Sequence, residues 1–279
     1  GIEVRGGQPV IENNRVESNE TSGIRVGPSE DVSSAPAIKD NQVEGNGTSG
    51  IRAVNSAPVI QNNTFVGNES YAAFLKGTES DSSAVIVGNG GSGNGTNGIG
   101  YSGSLQTELA WPDNEELPYV IEDLRVGEGA TLTIEPGTVV KFGLDNDDYS
   151  DQTKWLQVKG ELQAEGTAQD SVVFTSIRDD TYGGDTNGDR DSTSAAPSNW
   201  DYIVFDEGSS GTISHAVLRY GGEELLLDYD GSKNDRDTGM IFVGDSAPTI
   251  TDSRITDGRY AGIEVRGGQP VIENNRVES

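Results

Sequence analysis

The sequence predicts an all-β parallel solenoid on three observations. Short apolar runs are broken by Gly, Asn, Asp and Ser, one pattern recurs every 22 to 27 residues, and no segment sustains the 3.6-residue period of a helix. Gly1-Ile2-Glu3-Val4, Gly23-Ile24-Arg25-Val26, Gly50-Ile51-Arg52-Ala53 and Gly262-Ile263-Glu264-Val265 each open a unit. A Pro-x-Ile segment follows the opener, at Pro9, Pro36, Pro58, Pro248 and Pro270. Three residues after its isoleucine comes an asparagine, Asn14, Asn41, Asn63 or Asn89, and then Val16, Val43 or Phe65. A second asparagine column, Asn19, Asn46, Asn68 and Asn94, precedes the next opener by four residues. Strands this short bury a face only by stacking, coil upon coil at about 4.8 Å. Asparagine suits the turns, because it tolerates the left-handed backbone and its amide can bond the same amide one coil away.

The chain has 279 residues, 32 % of them hydrophobic, and 38 glycines, so its core is thin. Forty-six acidic residues against 19 basic give a net charge of -27, which makes nucleic acid and anionic membranes poor partners and cations the natural ones. Solubility of a long rod is the plainer account of that acidity. No run approaches the roughly 20 apolar residues of a membrane helix, so no direct membrane insertion is expected, and any signal or anchor is expected outside this segment. The absence of cysteine excludes disulfides and thiolate metal sites.

The middle of the chain reads differently. Thr131 to Phe142, TLTIEPGTVVKF, is followed by Leu156 to Thr167, LQVKGELQAEGT, and later by Val172–Ser176, Trp200–Ile203 and Leu218–Gly222. With the asparagine columns, these stretches resemble the right-handed parallel β-helix repeat proteins, the pectate-lyase-like solenoids, and among them the surface β-helices of bacteria and archaea. The resemblance implies a right-handed parallel β-helix with asparagine ladders. It implies little about activity, because many functions use this scaffold. In that family the TLTIEPGTVVKF stretch opens the domain; here the final coils come first.

Residues 1–18 and 262–279 are identical. A rotated order with identical ends is what a window cut from a tandem array of 261-residue units would show. Residues 1–104 then close one unit of about 10 coils and residues 105–279 begin the next. An engineered or a local duplication gives the same ends.

The strongest metal pattern is Asp185-Thr186-Asn187-Gly188-Asp189-Arg190-Asp191, with oxygen ligands at alternate positions as in the first half of a calcium loop. Asp185, Asn187, Asp189 and Asp191 are the candidate ligands and calcium the candidate ion. A solvated acidic loop is the alternative, since Arg190 stands where an EF-hand loop has glycine and Ala196 where it has glutamate. Asp145 to Asp148, and the group Asp228, Asp230, Asp235 and Asp237, are weaker candidates. His215 aligns with Asn13, Asp40 and Asn62 and reads as a turn residue rather than a general base. Trp111, Trp155 and Trp200 read as packing rather than a sugar platform, and the glycines from Gly88 to Gly95 as turns.

Asn19, Asn46, Asn68 and Asn94 all lie in N-x-S/T sequons, whereas the first column has none. Glycosylation requires these side chains to point outward; turn chemistry alone also favours Thr and Ser there. Together these features lead to the expectation of a structural or adhesive extracellular or cell-surface element without catalytic activity. Its partners would be neighbouring repeat units or fibre subunits, and cell-surface polysaccharide. The alternative is a polysaccharide-binding module or lyase, marked by a groove lined with carboxylates, basic residues and aromatics.

Overall fold

The computed structural model describes residues 1–29, 32–77, 84–114, 116–143, 154–222, 224–225, 236–237 and 239–278. Among them there are strands and turns but no helix. The coils stack as parallel strands, with one antiparallel pair, Glu224–Leu225 with Arg236–Asp237, standing apart.

Each early coil carries three strands. The first coil has Ile2–Arg5, Val10–Glu12 and Arg15–Glu17, and the next has Ile24–Gly27, Ala37–Lys39 and Gln42–Glu44 in register with them. The strands of the second face form a four-stranded sheet ending at Val85–Val87 and a six-stranded sheet from Glu108–Trp111 to Val271–Glu273, ten coils in all. Because Val271–Glu273 repeats Val10–Glu12, a 261-residue unit comprises nine coils, one fewer than the period suggests. The two four-stranded sheets end by Ser92, and the long strand Thr96–Leu105 runs across the 104/105 boundary, pairing with Tyr71–Gly77 on one side and Tyr119–Val126 on the other.

Alternation explains the core. In the three-residue strands the middle side chain points inward, so Ile38, Ile60, Val43 and Phe65 are fully buried while Glu12, Gln42 and Val85 face out. Trp111 stacks on Tyr119 with ring centroids 4.6 Å apart, and Trp200 on Phe142 at 4.2 Å. Both tryptophans are buried, as packing residues should be, whereas Trp155 is half-buried.

Both asparagine columns are ladders. Asn14, Asn41 and Asn63 each donate Nδ2 to Oδ1 of the next asparagine in the series, at 3.0, 2.9 and 3.0 Å. Asn19, Asn46 and Asn68 do the same toward Asn94, at 2.7, 2.8 and 2.8 Å. The opener glycines belong to this second ladder: a Cβ on Gly23 would lie 2.8 Å from Nδ2 of Asn46 and 2.8 Å from Val43. The turn between the second and third strands holds a left-handed residue, Asn13, Asp40, Asn62, His215, Asp252 or Asn274, with φ between 48° and 58°. His215 thus occupies the turn position its alignment predicts.

The identical ends adopt the same coil. Ile263–Val265, Val271–Glu273 and Arg276–Val277 reproduce the strands of residues 1–18, and Asn274 has φ 58° where Asn13 has 56°.

Candidate functional site

The acidic loop lies between Val172–Ser176 and Ile203–Phe205, and a buried lysine fixes it. Lys141, in the strand Val139–Phe142, is fully buried, and its Nζ donates to the carbonyls of Asp179 (3.0 Å) and Gly184 (2.7 Å). Desolvation lowers its pKa to about 8, opposed by the neighbouring charges of Asp180, Asp179 and Asp185. Asp179 is also buried; it accepts from Thr175 at 2.6 Å and lies 3.6 Å from Arg219.

From this clamp the loop folds back over earlier coils. The carbonyl of Thr186, a fully buried residue, accepts from the Asn97 amide at 2.7 Å, and Asn97 Oδ1 accepts from Asn94, the last rung of the second ladder, at 2.8 Å. The loop therefore caps that ladder where its sheet ends.

Oxygens of Asp180, Asp185 and Asp189 lie within 4.8 Å of one another. Asp185 accepts from the amides of Asp189 (3.1 Å) and Arg190 (3.0 Å), and Asp189 from Asn187 Nδ2 (2.9 Å), the Ser192 amide (3.2 Å) and Thr193. The Thr193 bond is the leading cause of the lowered pKa of Asp189; burial, then the charge of Asp185, raises that of Asp180. Oδ1 of Asn187 and Oδ1 of Asp180 are buried without a hydrogen-bond partner. The oxygen-only donor set fits a hard cation. Of the four residues picked from alternation, Asp185 and Asp189 come together, joined by Asp180; Asn187 turns its Nδ2, a donor, to Asp189, and Asp191 is exposed and outside the group. Asp180 precedes the alternating run and joins it only through the turn that Lys141 holds. Asp145 to Asp148, and the side chains of Asp228, Asp230, Asp235 and Asp237, lie outside the described residues.

A groove of about 610 Å³ opens beside this loop, lined by Tyr71, Phe74, Glu122, Arg178, Asn187 and Asp189 among others. Tyr71 and Phe74 are 5.1 Å apart, Tyr71 donates to Glu122, and Lys154 pairs with Glu122 at 2.8 Å. No sequence motif marks this groove, because its residues come from coils far apart in the chain.

The sequon column is corrected by its geometry. Asn46, Asn68 and Asn94 are 0, 1 and 2 % exposed, and their Nδ2 atoms, where a sugar would attach, donate within the ladder. The outward orientation that glycosylation requires is absent at these three. Asn19 is half-buried and donates its Nδ2 to Asn46. The hydroxyl of Thr48 instead pairs with Ser22 at 2.8 Å, a turn role for the sequon threonine.

Residues 1–90 match the family model described as the right handed beta helix region, which covers the first four coils nearly to the end of the strand Gly90–Ser92. With its stacked parallel sheets, the chain is a right-handed parallel β-helix protein. No curated protein and no solved structure matches it.

Proposed function

We propose that this chain is a structural or adhesive extracellular element, a length of rod from a tandem array of 261-residue units, and that it has no catalytic role. The observation that supports this reading is the recurrence of the same eighteen residues in the same coil nine coils further on. Its partners are then neighbouring units or fibre subunits. Imaging of natively sourced material tests it: rods should show an axial repeat of about 43 Å, nine coils at about 4.8 Å. Particles no longer than one ten-coil rod would overturn it.

The groove favours a second reading, a polysaccharide-binding module. Tyr71 and Phe74 offer aromatic surface beside Glu122, Arg178 and Asp189, the combination that recognition of a sugar chain uses. Binding of oligosaccharides measured by calorimetry, abolished by Phe74→Ala, would support it; no heat with any oligosaccharide class would remove it. Within either reading, Asp180, Asp185 and Asp189 would hold calcium, tying the loop to the rod.

A further inference from the structure

The sequence holds five Asn-Gly pairs, beginning at Asn46, Asn89, Asn94, Asn97 and Asn187. In such a pair the glycine nitrogen can attack the asparagine Cγ, because no Cβ crowds it and both groups lie on one short stretch of chain. Folding treats the five differently. Asn46, Asn89 and Asn94 are 0, 5 and 2 % exposed, and each has its carboxamide bonded within a ladder. The glycine nitrogens that follow them are also engaged: Gly47 donates to Asn19 O at 2.8 Å, Gly90 to Asn63 O at 3.0 Å and Gly95 to Asn68 O at 2.8 Å. Asn97 is held at both sides of its carboxamide, accepting from Asn94 and donating to the carbonyls of Gly91 and Glu116.

Asn187-Gly188 is the exception. Oδ1 of Asn187 has no hydrogen-bond partner, and Nδ2 donates only within the acidic loop, to Asp189 Oδ2 at 2.9 Å and Thr193 Oγ1 at 3.3 Å. Gly188 is exposed with φ +70°, and its amide has no hydrogen-bond partner among the described residues. Asn187 lines the open groove, so water reaches it.

We propose that Asn187-Gly188 is a self-modifying site, at which Asn187 becomes aspartate or isoaspartate while the ladder asparagines stay intact. The Gly188 nitrogen gives its proton to solvent and bonds to Asn187 Cγ; the Cγ–Nδ2 bond breaks, and ammonia leaves with a proton taken from water. Water then opens the succinimide at either carbonyl and leaves a new carboxylate at residue 187. No other reagent is needed. In the aspartate form, the group that faces Asp189 changes from a donor at 2.9 Å to a charged acceptor. Beside the oxygens of Asp180, Asp185 and Asp189 that charge repels unless a hard cation lies among them, so the modified loop should hold calcium more tightly than the new one. This consequence rests on the calcium reading above; the modification itself does not.

The freshly prepared full chain is incubated folded in mildly alkaline buffer and then digested, and tandem mass spectrometry reads the amide-to-acid mass gain at each pair. A ladder asparagine reacts only after its buried bonds and that of the next glycine open, so Asn187 should convert at least about tenfold faster than Asn46, Asn89 or Asn94. In urea the five should convert at similar rates. Asn187 converting no faster than the ladder asparagines in the folded chain overturns the proposal, as does a lead that persists unchanged in urea, which would owe nothing to the fold. Calcium titration of the Asn187→Asp variant against its parent tests the consequence separately: equal affinity removes the tighter calcium site and leaves a measured mass gain standing.

Discussion

Replacing Asn63 with alanine should destabilise the first coils by about 3 kcal/mol. Asn63 is 1 % exposed and its side chain makes five hydrogen bonds. Oδ1 accepts from the backbone and amide nitrogens of Asn41, and Nδ2 is shared among Asn89 Oδ1, Ile38 O and Gln61 O. The Asn41 amide keeps Ile11 O and Lys39 O as acceptors, so the largest single loss is the buried Asn41 N–H. One abandoned buried donor costs about 1–3 kcal/mol and each lost bond about 1 kcal/mol net. Asn14→Ala is the control, because Asn14 is exposed and stands at the end of the ladder, and it should cost about 1 kcal/mol. Urea titrations followed by circular dichroism compare the two variants. Equal costs would refute a ladder that works through buried amides, and would leave its asparagines as turn formers only.

Lys141→Met removes both bonds to the 179–184 turn and should expose the acidic loop to proteases at concentrations that leave the parent uncut; an unchanged digestion pattern would contradict the clamp. Gly103→Ala should cost more than about 3 kcal/mol, since its Cβ would lie 1.8 Å from the Gly77 carbonyl at φ +94°, and a variant that melts with the parent would count against that packing. Burial raises the pKa of Asp206, an effect opposed by Lys159 and Gln157. A raised carboxylate pKa favours folding most at low pH and that contribution is lost as pH rises through the folded value. Asp206→Asn should therefore raise the unfolding midpoint at pH 7, with the gain vanishing below about pH 4. Calcium at Asp180, Asp185 and Asp189 should raise the melting temperature and chelator should reverse it, while Asp189→Asn abolishes the shift; a melting curve indifferent to both ends that assignment.

The coil was legible because each of its features is local. An opener glycine, a Pro-x-Ile and two asparagines recur at fixed phase, and phase alone tells which side chains stack. The sequon column left two readings open for the same reason. Asn46-Gly47-Thr48 looks like a modification site, yet the recurrence of asparagine at one phase over four coils is what a ladder requires, and Thr48 serves the turn. Asp180 and the groove were not legible. They depend on a loop returning across several coils, and on Lys141, whose place inside an apolar strand, Val140-Lys141-Phe142, was the one available signal that a backbone turn lay opposite.

The course of that loop bears on how the molecule carries load. In a stacked solenoid the hydrogen bonds between coils run along the axis, so tension falls on all coil junctions in series and the weakest one gives way first. The 177–199 segment leaves the coil of Val172–Ser176, is gripped by Lys141, bonds Asn97 and returns to Tyr220 through the Asn199 amide at 2.9 Å. It lies in parallel with the junctions it spans, as a strap across those coils. Rupture under axial pulling should begin in the unstrapped coils and leave the strapped ones standing.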